Sequence, residues 1–135
     1  MGWTLYADGA SRGNPGPSGI GAVLYDPDGE VVDEIAGMIG ETTNNVAEYR
    51  ALVAGLEAAA RRGVDVLTVR LDSQLLVRQA TGEYRVKAKH LRPLALRVRR
   101  LAEGFEEVRF EHVPRAENAV ADALANQGLD DALEA

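Results

Sequence analysis

Asp8, Glu48, Asp72 and Asp122 are the side chains of this sequence whose types and spacing point to chemistry. Asp8 closes an alternating stretch, residues 3–8, in which Trp3, Leu5 and Ala7 share one side; Asp72 closes an apolar run, residues 64–72. In open sheets with crossover helices, ligands gather beyond the carboxyl ends of parallel strands, and a right-handed crossover through a long helix makes such strands neighbours. Two carboxylates side by side repel unless a proton or a cation joins them. Read alone, each Asp is more simply a turn former or, for Asp72 ahead of Ser73, a helix cap. Glu48 lies beside Tyr49 and one turn before Leu52, at the margin of an apolar stripe where an unpaired carboxylate is costly; the alternative is an exposed helix Glu. Asp122 follows Asn118 by one helical turn among Ala119, Ala121, Ala123 and Ala125, small residues that permit close approach; it reads otherwise as an ordinary surface Asp. Four oxygen donors, with no Cys and only two His in the chain, favour a hard cation, Mg2+ or Mn2+, over zinc. Two such ions about 4 Å apart activate water and stabilise a leaving oxygen in phosphodiester cleavage.

Those acids have to be brought together by elements far apart in the chain. Residues 3–8, 19–26 and 30–38 read as three strands of a meander, with a Gly- and Pro-rich connection before the second and the Asp28-Gly29 turn before the third. Residues 43–62 change to helical period through Tyr49, Leu52, Val53, Leu56 and Ala60, with Thr42 or Thr43 as cap and Gly63 as stop. A buried strand follows to Asp72, then a short helix over 73–80 opened by Ser73, a polar basic stretch over 82–89, a helix over 91–103 with Leu94, Val98 and Leu101 inward, a strand over 108–113 and a closing helix over 116–127. The expected fold is α/β, one five-stranded mixed sheet in the order βββαβααβα with helices packed on it. Residues 1–128 are expected to form one domain and 129–135 a short acidic, frayed tail.

The chain has 135 residues, 46% hydrophobic and 27% charged, which suits one domain and leaves no room for a second. With no cysteine, disulfides, Cys-ligated zinc and thiol nucleophiles are excluded. No apolar run is long enough to span a membrane, and the first residues lack a basic leader, so a cytoplasmic monomer with no membrane partner is the expectation. The net charge of −6 argues against a nucleic-acid coat protein, yet eight of the fifteen basic residues lie between Arg78 and Arg100 against a single acid, Glu83. Such a cluster is either a solvated helix face or a phosphate-holding surface, and its position relative to the acids decides.

Four segments resemble the type 1 ribonuclease H family: Tyr6-Ala7-Asp8-Gly9-Ala10-Ser11-Arg12-Gly13-Asn14-Pro15-Gly16-Pro17, then Thr42-Thr43-Asn44-Asn45-Val46-Ala47-Glu48, Leu71-Asp72-Ser73-Gln74, and His112-Val113-Pro114-Arg115-Ala116-Glu117-Asn118 with Ala121-Asp122. The likeness runs from about Trp3 to Gln127 with the segments in family order. The stretch 82–92 is short and Trp3 is the only tryptophan, so the likeness is to the short archaeal and bacterial form that lacks the large basic protrusion.

The resemblance implies an endonuclease that hydrolyses the RNA strand of an RNA–DNA hybrid, leaving 5′-phosphate and 3′-hydroxyl ends. It implies Asp8, Glu48, Asp72 and Asp122 as catalytic ligands of two Mg2+ or Mn2+ ions, and His112 as an auxiliary catalytic residue for proton movement or product release. Without the resemblance, His112 shares a strand face with Phe110 and reads as a semi-buried structural residue. Asn14, Asn44, Asn45 and Gln74 match hybrid-contacting positions; amides both donate and accept, so they can meet base edges and 2′-hydroxyls, although turn and helix-start chemistry would also account for them. Arg85 and Lys87 are expected to hold phosphates. Double-stranded RNA or RNA–DNA junctions are alternative substrates, and a catalytically silent binding module of the same fold is the alternative function.

Overall fold

The computed structural model describes residues 2–134. Three antiparallel strands open it: β1 (Trp3–Ser11), β2 (Gly16–Tyr25) and β3 (Val31–Thr42). Helix α1 (Asn44–Arg61) crosses over to β4 (Val66–Leu71), which lies parallel to β1; α2 (Gln74–Ala80) and α3 (Arg92–Glu103) then lead to β5 (Glu107–His112), parallel to β4. Helix α4 (Ala119–Glu134) closes the chain, and the sheet order is β3-β2-β1-β4-β5. This is the five-stranded mixed sheet that the periodicities predict.

Alternation along the strands sorts side chains between two layers. Leu5 and Ala7 of β1 and Leu67, Val69 and Leu71 of β4 turn into a core with Leu52 and Leu56 of α1, Val98 of α3 and Phe105, all buried. Burying each such large aliphatic side chain stabilises the fold by roughly 1.5–3 kcal/mol before entropy is charged against it. Helix α4 covers the other face over β1, β2 and β3. Thr43 caps α1 by accepting from the Val46 N–H at 3.3 Å, and Ser73 caps α2 by accepting from the Leu76 N–H at 3.2 Å, so two polar residues start the helices that flank the carboxyl end of β4.

Several boundaries differ from the sequence expectation. Strand β1 does not end at Asp8: its ladder with β2 continues to the Ser11–Ser18 pair, so β2 starts at Gly16 instead of Gly19, and β3 runs on to Thr42. The closing helix starts at Ala119, after a 3-10 turn over Arg115–Asn118, and does not stop at Gln127. It continues because Leu129 is fully buried and because Gly128, a residue that often ends helices, packs instead against β3: a Cβ there would lie 2.5 Å from the Gly37 nitrogen. The expected tail from 129 is therefore helical to Glu134, and Ala135 lies outside the described residues. No helix among the described residues is long and apolar enough to cross a membrane.

Candidate active site

The parallel pairing of β1 with β4 ends at Tyr6 opposite Arg70. Two residues further along each strand stand Asp8 and Asp72, so the register sets the two acids across from each other just where the β1–β4 hydrogen bonding stops. Asp8 is thus inside β1 and yet past the end of its parallel ladder, which is the position that matters for a ligand site. Glu48 arrives from the second turn of α1, which packs on β1 at Gly9: a Cβ there would sit 2.3 Å from the Glu48 nitrogen, so only glycine allows this approach. Carboxylate oxygens of Asp8, Glu48 and Asp72 lie within 4.8 Å of one another, and Ala7, Leu71, Ser73 and Leu76 pack around them.

Asp122, on the first turn of α4, stands outside that tight group and joins it electrostatically, its charge and side-chain hydrogen bonding both raising the Asp8 carboxyl. Asn118 fixes this end of the helix to β1. It is fully buried, and its Nδ2 donates to the Ala7 carbonyl at 3.0 Å, next to Asp8. One side chain therefore ties the strand that carries Asp8 to the helix that carries Asp122.

Burial and mutual repulsion hold protons on this cluster. Asp8, 6% exposed, is pushed up to about 8, first by burial, then by the Asp72 charge, then by its hydrogen bond to Asp122 and the Asp122 and Glu48 charges. Glu48 is pushed up to about 7, again by burial first and Asp72 second; hydrogen bonds from Asn44, whose Nδ2 donates at 3.3 Å, and from Ser73, together with the positive charge of Arg115, oppose the rise. A set of hard oxygen donors that can shed its repulsion only by taking protons or a cation fits a divalent metal ion, with Asp8, Glu48 and Asp72 as its holders.

The remaining expected residues fall in three places. His112 ends β5 beside Leu71 and is exposed, so the reading of it as semi-buried on the Phe110 face does not hold for its side chain. Asn14 reaches the start of α1, where its Oδ1 accepts from the Asn44 N–H at 3.2 Å, and Asn44 in turn contacts Glu48. Gln74 is exposed on the first turn of α2. Asn45, Arg85 and Lys87 line one groove with Leu75, Glu83 and Tyr84, and Asp8, Glu48, Asp72 and Asp122 are not among its lining residues. The basic segment is divided in its use: Arg92 donates to the Val86 carbonyl at 3.1 Å and Arg97 pairs with Glu57 at 2.9 Å, whereas Arg85 and Lys87 are exposed on the loop over 81–88.

Arg115 and Ser73, which lower Glu48, and Asn118, which donates to the Ala7 carbonyl, stand at the site although the sequence reading gave none of them a part in it. The signal for Arg115 was its place three residues after His112, on the turn that leads into α4.

The model of a family described as reverse transcriptase-like matches residues 6–128. A protein named Ribonuclease H from Halorhodospira halophila is 39% identical over 93% of this chain and 91% of its own length. The chain belongs to the ribonuclease H family. Ribonuclease HI of Halobacterium salinarum is 53% identical over 94% of this chain and 64% of that protein, so the chain spans less than two-thirds of that relative's length, and about a third (36%) of mycobacterial relatives that match at 46% identity. Among solved structures, LC11-RNase H1, isolated from compost, in complex with an RNA/DNA hybrid superposes with a TM-score of 0.91 at 43% identity, over 97% of this chain and 99% of that one. The ribonuclease H likeness thus extends to the whole sheet and all four helices around the carboxylates.

Proposed function

We propose that this protein is a divalent-metal-dependent endoribonuclease that hydrolyses the RNA strand of RNA–DNA hybrids. The observation that carries the reading is the convergence of Asp8, Glu48 and Asp72 oxygens within 4.8 Å, from three elements distant in the chain, inside a ribonuclease H fold. Two Mg2+ or Mn2+ ions held there supply activation of water and neutralisation of the charge on the leaving oxygen. Asp8 and Asp72 anchor the cations, and Glu48 and Asp122 complete the holding set.

Asn14, Asn44, Asn45 and Gln74 present amides that read the 2′-hydroxyls and base edges by which a hybrid differs from a DNA duplex. Arg85 and Lys87 hold backbone phosphates outside the acidic centre. In the reaction a water oxygen adds to phosphorus and the P–O3′ bond breaks, which leaves a 5′-phosphate and a 3′-hydroxyl. His112, exposed at the end of β5, holds or passes a proton during attack or release.

The test is cleavage of end-labelled strands presented as RNA–DNA hybrid, double-stranded RNA, an RNA–DNA junction and DNA duplex, with Mg2+, with Mn2+ and with chelator. Metal-dependent cutting of the hybrid's RNA strand is expected. Folded protein that cuts nothing with either metal would make the chain a binding module of the same fold.

A further inference from the structure

The loop between β1 and β2, residues 12–15, carries Asn14 and a single cation, Arg12. Its far side meets the last turns of α4, where the Arg12 guanidinium donates to Asp130 at 2.5 Å. Both side chains are largely in water, 40% and 54% exposed, so the pair adds little to stability. Its main effect is on charge: an acid from a distant element cancels the loop's own positive group. Asp130 belongs to the acidic stretch Asp130, Asp131, Glu134, to which no catalytic role falls. The loop also communicates with the catalytic acids through contacts already described, Asn14 to Asn44 and Asn44 to Glu48.

We infer that Arg12 is a phosphate-binding residue for the nucleic-acid substrate and that Asp130 competes with the phosphate for it, so that the end of α4 sets affinity at the Asn14 loop. This rests on the nuclease reading above. In the free protein Arg12 is neutralised by Asp130; when a strand lies along Asn14, a backbone phosphate replaces the carboxylate, and the released Asp130 returns to water. The exchange trades one exposed ion pair for another, so it lowers affinity and limits the hold on weakly matched duplexes without closing the site.

Binding of a fluorescent RNA–DNA hybrid, measured by anisotropy in chelator over a range of salt, tests this. Asp130→Asn is expected to tighten binding about threefold or more and to steepen the dependence of log Kd on log salt by about one unit, because the cation released from the phosphate is no longer offset by one taken up at the freed Asp130. Asp131→Asn makes the same change in net charge and is expected to do neither. Arg12→Gln is expected to weaken binding, and Arg12→Gln with Asp130→Asn to match Arg12→Gln alone. Equal effects of Asp130→Asn and Asp131→Asn, or tightening that survives loss of Arg12, would overturn the inference. Native protein that binds the hybrid while Asp130→Asn changes nothing would sink this inference alone, whereas native protein that binds no hybrid would remove the nuclease reading with it.

Discussion

Gly21 of β2 sits directly across the ladder from Asp8 of β1, and its missing side chain is what lets α4 bring Asp122 to that acid. A Cβ at Gly21 would lie 2.1 Å from the Ala121 carbonyl oxygen and 2.5 Å from the Ala125 nitrogen, both helix backbone that cannot turn aside. Gly21→Ala is therefore expected to push α4 off the sheet, to destabilise the fold by about 1–3 kcal/mol in chemical denaturation, and to lower cleavage by roughly 10²-fold through misplacement of Asp122. A variant as stable and as active as the parent would show that the close approach is not needed.

The raised carboxyls make stability depend on pH in a defined direction. Below about pH 4 Asp8 carries its proton both folded and unfolded; between there and about 8 the unfolded chain ionises while the folded state resists, so stability falls as pH rises through that window. Glu48, pushed up to about 7, adds to the same loss. Asp8→Asn should then raise the stability of metal-free protein at pH 9 by an amount on the order of a few kcal/mol and leave it unchanged at pH 4. Mg2+ should stabilise the parent more at pH 8 than at pH 5. Thermal unfolding across pH, with and without Mg2+, measures both, and a parent whose stability is flat between pH 4 and 9 would contradict the cluster's electrostatics.

Arg115 lowers Glu48 by its charge, against burial and Asp72. Arg115→Gln is expected to move the Glu48 carboxyl upward from about 7 in the metal-free protein. Carbon NMR titration of the labelled carboxyl reads this directly, and an unmoved midpoint would place the guanidinium too far away to matter.

His112 ends β5 with an exposed side chain, so its loss should cost catalysis and not folding. His112→Ala is expected to lower kcat by about 10²-fold, the usual scale of proton-transfer assistance, with Tm unchanged. Full kcat with the alanine in place would assign the proton traffic to water alone.

Much of this was legible in the sequence because period-2 and period-3.6 patterns survive in short elements. The apolar run over 64–72 placed Asp72 at the end of β4, and the stripe through Tyr49, Leu52 and Leu56 put Glu48 at the edge of a buried helix face. What was not legible depends on contacts between distant segments. Strand β1 was read as ending at Asp8 because the glycines that follow look like a loop, whereas pairing with β2 carries the strand to Ser11. The burial of Asn118 and its bond to Ala7 join residues 111 apart, and nothing local announces them. The basic segment looked uniform, yet Arg92 and Arg97 are taken by carbonyls and by Glu57, and only their placement in space separates them from Arg85 and Lys87.

The measurement closest to the central claim is cleavage of an RNA–DNA hybrid by Asp72→Asn, set beside its binding to the same hybrid and its thermal unfolding. If the carboxylates opposite each other just past the end of the β1–β4 ladder hold the metal that drives hydrolysis, the variant folds, binds the hybrid about as well as the parent and cuts it at least 10³-fold more slowly in Mg2+ and Mn2+ alike. Cleavage by a clean preparation of this variant at near the parent's rate would contradict the account, because the acid within 4.8 Å of both Asp8 and Glu48 would then have no part in the chemistry.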